Sequence, residues 1–134
     1  MDGDPMQENS AEMKYKVLYI EDNPSNLELM KEIIKLHGNI ELMSAHNAEL
    51  GIDLASSILP DLILLDINLP GMDGFEAMLK IRKTPMIQDI PVIAVTAKAM
   101  KDDIAQGKMS GFSEYVTKPL DIGLFLDILG RYLP

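Results

Sequence analysis

The stretch Asp61-Leu62-Ile63-Leu64-Leu65-Asp66-Ile67-Asn68-Leu69-Pro70-Gly71-Met72-Asp73-Gly74 decides how this chain folds. Leu62 to Leu65 form an aliphatic run with no polar alternation, the pattern of a strand covered on both faces. Pro60 stands just before the run. The run ends directly on Asp66, which places a carboxylate at the mouth of a buried strand.

The same rhythm recurs on either side. Short apolar runs occur at Val17–Ile20, Ile40–Met43, Val92–Val95 and Tyr115–Val116. Between them lie longer stretches with helical spacing of apolar residues. The first carries Leu27, Met30, Ile34 and His37; the second Leu50, Leu54 and Ile58; the third Phe75, Met78 and Leu79; the last Phe125, Ile128, Leu129 and Tyr132. Met100–Met109 is a weaker helix candidate because Gly107 interrupts it. Gly38-Asn39 closes the first helix. Asn47 caps the second and Asp121 the last, and Pro91 opens the fourth strand. A fivefold strand-then-helix alternation predicts an α/β fold: a five-stranded parallel sheet, right-handed crossovers, helices on both faces. Residues 1–13 carry Asp2, Asp4, Glu8 and Glu12 without a basic residue or an apolar period. They read as a flexible polar tail or linker, leaving 14–134 as the domain.

Composition narrows the function. The 134 residues are 47% hydrophobic, enough for one ordinary core, and carry a formal net charge of −9. Nucleic acid binding needs basic side chains to displace counterions, so direct nucleic acid contact is not expected. No apolar run is long enough for membrane insertion, and the acidic N-terminus does not read as a signal peptide. Cysteine is absent, which removes disulfides and thiolate metal sites and agrees with a cytoplasmic location.

In a doubly wound sheet, ligands sit beyond the carboxyl ends of the strands. Glu21-Asp22 follow the first strand, Asp66 the third, Thr96-Ala97 the fourth and Lys118-Pro119 the fifth. Carboxylates meeting in one pocket repel, and one or more should have a raised pKa. A hard divalent cation resolves that conflict, and Mg²⁺ takes oxygen ligands together with phosphate oxygens. Lys118 offers a cation and Thr96 a hydroxyl to a phosphoryl group on Asp66.

This ordered set resembles the receiver domain of two-component response regulators, with the phosphoacceptor loop carried by residues 64–74 and the likeness running from Lys16 to about Leu133. The resemblance implies a flavodoxin-like (βα)₅ sheet with strand order 2-1-3-4-5. It implies that Asp66 accepts a phosphoryl group from a histidine kinase or histidine phosphotransfer protein. Asp22, Asp66 and the backbone carbonyl of Asn68 would hold Mg²⁺, or Mn²⁺ in its place, with Glu21 acting through water. Lys118 would meet a phosphate oxygen, its bond to Pro119 would be cis, and Thr96-Ala97 and Tyr115 would serve as phosphate-binding and switch positions. Asn68 and Lys98 would tune dephosphorylation. The output would pass to a protein partner through the face of the fourth helix, fifth strand and fifth helix. A stand-alone receiver and the receiver of a hybrid histidine kinase both fit, and the chain would be a phosphorylated signalling switch in a phosphorelay or two-component system rather than a metabolic enzyme.

Three other readings compete. An aspartate-nucleophile phosphatase resembling the haloacid dehalogenase family needs a second Asp two residues after the nucleophile as general acid, and here that position is Asn68. A flavin-binding module would want a phosphate-cradling loop after the first strand, where Glu21-Asp22-Asn23-Pro24 is acidic. A passive protein-interaction module would leave the carboxylates as surface charge.

Overall fold

The structure, a computed structural model, describes residues 14–97 and 111–134. In chain order the elements are β1 (Tyr15–Ile20), α1 (Pro24–Lys35), β2 (Ile40–Ala45), α2 (Ala48–Ile58), β3 (Leu62–Asp66), α3 (Gly74–Arg82), β4 (Val92–Thr96), β5 (Glu114–Thr117) and α4 (Ile122–Tyr132). The strands form one sheet in the order β2-β1-β3-β4-β5. Every pairing is parallel, with Val17 opposite Leu62, Ile63 opposite Val92 and Ile93 opposite Glu114. The order reverses between β1 and β3, so a crevice opens beyond their carboxyl ends. The helix candidate at residues 100–109 lies outside the described residues.

Strand alternation divides the core in two. Val17, Tyr19, Leu62, Leu64, Ile93 and Val95 face α1 and α4, where Met30, Ile33, Ile34, Phe125, Ile128 and Leu129 cover them. Leu18, Ile20, Ile63, Leu65 and Val92 face α2 and α3, against Ala48, Ala55, Ala77, Met78 and Ile81. Residues Leu62 to Leu65 are wholly buried. Each such side chain contributes about 1.5–3 kcal/mol on leaving water, so β3 is firmly seated and Asp66 at its end inherits that rigidity.

The helices show where periodicity misleads. On α2 the buried residues are Ala48, Gly51 and Ala55, and Leu50, read as core, is exposed. This helix lies so close to the sheet that a Cβ on Gly51 would stand 2.7 Å from Ile20 Cγ1; small residues form its buried face, and Ile52 and Leu54 pack half-buried beside it. On α3 the buried set is Gly74, Ala77, Met78 and Ile81, and Leu79 points to solvent. His37 falls beyond the end of α1 rather than on it. Its Nε2 lies 2.9 Å from the carbonyl oxygen of Leu133, and its ring meets Tyr15 edge-on.

The caps position the site loops. Asn47 accepts from the Leu50 amide and Asp121 from the Leu124 amide. The cap of α1 is Asn23, whose side-chain oxygen accepts from the amides of Ser25 and Asn26. Asp22 is therefore free of capping duty and stays at the solvent edge.

Candidate functional site

Four of the five strands bring functional groups to the same crevice: Glu21 and Asp22 follow β1, Asp66 ends β3, Thr96 ends β4 and Lys118 follows β5. The amide of Glu21 donates to Ala45 O, that of Ile67 to Val95 O and that of Lys118 to Thr96 O, so the sheet pairing continues one residue past β1, β3 and β5 and fixes the backbone under the site. Glu21 and Asp66 are buried at 3% and 5% exposure and Thr96 at 1%; Asp22 is exposed. Carboxylate oxygens of Glu21, Asp22 and Asp66 all lie within 4.8 Å of one another. Lys118 Nζ stands 2.9 Å from Glu21 Oε1 and 3.7 Å from Asp66 Oδ2.

Among the described residues, one ammonium stands among three carboxylates, which leaves an excess of negative charge. Burial pushes the Asp66 carboxyl above its ordinary value, and the neighbouring Glu21 adds to the rise, while the amide of Asn68 and the charge of Lys118 work against it. Burial also works to raise Glu21, but hydrogen bonds with Lys118, Tyr19, Asp66 and the Asn23 amide outweigh it and bring its pKa to about 2. Of this buried pair, Glu21 is the firmly ionised member and Asp66 the strained one. The unrelieved charge on Asp66 and the all-oxygen donor set fit a hard divalent cation.

The loop after β3 completes the site. The Asn68 amide donates to Asp66 Oδ1 at 2.9 Å, and its side-chain amide lies 3.4 Å from the Thr96 hydroxyl. Gly74 starts α3 and donates its amide to Ile67 O at 2.9 Å, folding the loop back onto the strand end. The Lys118–Pro119 peptide bond is cis. Ala97 is exposed beside Thr96. Tyr115, on β5, is 46% exposed and outside the carboxylate cluster. Lys98 lies outside the described residues.

Sequence reasoning missed the ring of groups around Glu21. Tyr19 donates its hydroxyl to Glu21 Oε1 at 2.9 Å. Asn26 reaches the same oxygen at 3.3 Å, and the Asn23 amide reaches Oε2 at 3.2 Å. A signal was present: a tyrosine inside an aliphatic strand, two residues before a glutamate and therefore on the same side of the strand, carries a hydroxyl that needs a partner.

Comparisons with known proteins agree with this geometry. The chain matches the response regulator receiver domain family over residues 17–129. It is 36% identical over 121 residues to the polar-differentiation response regulator DivK of Brucella anthropi, a match covering 90% of this chain and 98% of that protein. Among solved structures, it is similar to the receiver domain of a sensor histidine kinase from Pseudomonas aeruginosa, with a TM-score of 0.80, 28% identity, and coverage of 89% of this chain and 97% of that one. That structure has a magnesium ion coordinated in its active site cleft. The signal receiver domain of a histidine kinase from Syntrophus aciditrophicus is similar at a TM-score of 0.79 and 27% identity, covering 89% of each chain. Its sheet, its converging strand ends and these relatives together show that the chain belongs to the response-regulator receiver domain family, the phosphoacceptor signalling domains.

Proposed function

We propose that Asp66 is the phosphoacceptor of this receiver domain and that its phosphorylation switches the surface around β5. The observation that carries this reading is the setting of Asp66: a buried carboxylate at the sheet's topological switch point, clustered with Glu21 and Asp22, with Lys118 in reach. Asp66 attacks the phosphorus of a phosphohistidine on a histidine kinase or phosphotransfer protein. The new O–P bond forms as the P–N bond breaks, and the imidazole leaves with the electron pair. No general base is needed, because the nucleophile reacts as the carboxylate.

Asp22, Asp66 and the Asn68 carbonyl are the groups that would hold Mg²⁺, or Mn²⁺ in its place, with Glu21 acting through water. When bound, the cation would neutralise charge on the transferring group. Lys118 pairs with a phosphate oxygen, and Thr96 donates its hydroxyl, leaving Asn68 to do so. Closure of the Thr96-Ala97 segment opens room toward which exposed Tyr115 turns. The two states need differ by only a few kcal/mol for the added charge to select one. The partner surface comprises the helix expected at residues 100–109, β5 and α4. Asn68 and Lys98 set the lifetime of the acyl phosphate, and the chain works in the cytoplasm as a stand-alone receiver or as part of a hybrid kinase.

Acetyl phosphate with Mg²⁺ should label the wild-type chain and leave Asp66→Asn unlabelled; labelling retained in that variant removes Asp66 as the acceptor. Decay of the label should change in Asn68→Ala and Lys98→Ala chains, and unchanged decay in both removes their lifetime role.

A further inference from the structure

Tyr19 is almost wholly buried on β1, between Leu18 and Ile20. Its ring packs in the layer shared with α1 and α4, a place where phenylalanine would fill the same space. Its hydroxyl is the anomaly. Burying a hydroxyl in an apolar layer is unfavourable unless it is hydrogen-bonded, and here the bond goes to Glu21 Oε1. Lys118 Nζ and Asn26 Nδ2 reach the same oxygen. The other oxygen, Oε2, receives the Asn23 amide. Side chains from β1, α1 and the β5–α4 connection thus converge on one oxygen, and they hold the carboxylate in a single pose.

That pose decides where Lys118 rests. Its ammonium is 2.9 Å from Glu21 but 3.7 Å from Asp66. Lys118 also borders a cavity of about 360 Å³, which it shares with Tyr19, Asn26, Leu29, Met30 and Pro119. The cavity leaves the Lys118 side chain room on that side, and the closest partner holding its ammonium is Glu21.

We propose that Tyr19 is a positioning residue: with Asn26 it clamps Glu21 as the resting partner of Lys118, and so keeps the ammonium from occupying Asp66 in place of a divalent cation. The inference rests on the phosphoacceptor reading of the site. Loss of the Tyr19 hydroxyl loosens Glu21, Lys118 shifts toward Asp66, and ammonium and cation then compete for one carboxylate. Groups that orient a metal site's carboxylates act on affinity without touching the ion.

The test is Mn²⁺ binding to the unphosphorylated full chain, followed by the electron paramagnetic resonance of free Mn²⁺. Tyr19→Phe should weaken binding by about tenfold, the lower end of the range for orienting groups. Asn26→Ala should weaken it in the same direction by less. In a Glu21→Gln background, Tyr19→Phe should add nothing, because the charged partner that holds Lys118 is gone. A hydroxyl that only supports the fold would weaken binding equally in both backgrounds. That result, or unchanged affinity in Tyr19→Phe, overturns the proposal. If Tyr19→Phe does not fold, unchanged affinity in Asn26→Ala overturns it. A wild-type chain that binds no Mn²⁺ sinks the site reading together with this inference. A wild-type chain that binds Mn²⁺ while Tyr19→Phe matches it sinks only the role of Tyr19.

Discussion

Asp66 and Glu21 sit side by side and are displaced in opposite directions. Burial, then the charge of Glu21, raises the carboxyl of Asp66 against the pull of the Asn68 amide and Lys118. Its folded pKa lies above the unfolded one, so keeping it ionised costs stability at neutral pH, and that cost fades as pH falls through the folded value. Glu21 runs the other way. Its pKa falls from an ordinary 4.5 to about 2, so its contribution is present above 4.5 and is lost as pH falls toward 2. At pH 7 in EDTA, Asp66→Asn should therefore melt at a higher temperature than the wild type. The advantage should shrink as acid protonates Asp66 in the wild type. Mg²⁺ should raise the melting temperature of the wild type and do less for the variant. Thermal melts across pH, with and without EDTA, check this; a variant that melts lower at pH 7 would show that the charge of Asp66 is already compensated in the fold.

At the scale of elements, the acceptor loop depends on how α3 begins. Asp73 caps the helix through the Glu76 amide, and Gly74 lies against the loop. A Cβ at Gly74 would stand 2.6 Å from Ile67 Cα and 3.0 Å from Asp66 O. Both are backbone atoms, so relief requires the loop itself to move. Gly74→Ala should cost about 1–3 kcal/mol, the usual penalty of overpacking, read as a lower urea midpoint, and should slow labelling of Asp66. Unchanged stability would mean that the loop yields freely. Gly51 meets Ile20 instead, a side chain, so the two positions differ in what must give. Neither constraint was visible in the sequence. The α2 stripe read as Leu50, Leu54 and Ile58 was drawn by side-chain size; Leu54 does pack on the core, but Leu50 is exposed and the fully buried face is Ala48, Gly51 and Ala55. A close helix–sheet approach selects small residues, and periodicity of large ones cannot reveal it.

Across the whole molecule, Arg82 ties segments far apart in the chain. Its guanidinium donates to the carbonyls of Gln88, Ile90 and Gly111, joining the end of α3 to the approach to β4 and to the chain ahead of β5. Desolvation lowers its pKa and the nearby charge of Asp89 opposes that shift. Arginine's rigid fork spreads five donors over carbonyls that stand apart, and the compact three-donor ammonium of lysine does not span them in the same way. Arg82→Lys should lower stability by about 1–2 kcal/mol through lost charge-assisted bonds, measured by urea unfolding. A midpoint equal to wild type would show these bonds to be exchanged for water without cost. Among the described residues no helix is long and apolar enough to cross a membrane.

The order of apolar runs and turn residues by itself determined the α/β class, and the polar residues just after each run located Glu21, Asp22, Asp66, Thr96 and Lys118 at strand ends. Those are local properties: strand burial writes aliphatic runs, and parallel crossovers put every strand's carboxyl end on one side. The pairing order β2-β1-β3-β4-β5 was expected from the family likeness rather than from the runs. Only the tertiary structure decided that Lys118 rests closer to Glu21 than to Asp66, that Asn23 and not Asp22 caps α1, and that Tyr19 reaches into the site from the core. Each depends on distances between side chains from different elements. Such distances are set by how closely helices approach the sheet, and periodicity along one chain carries no record of them.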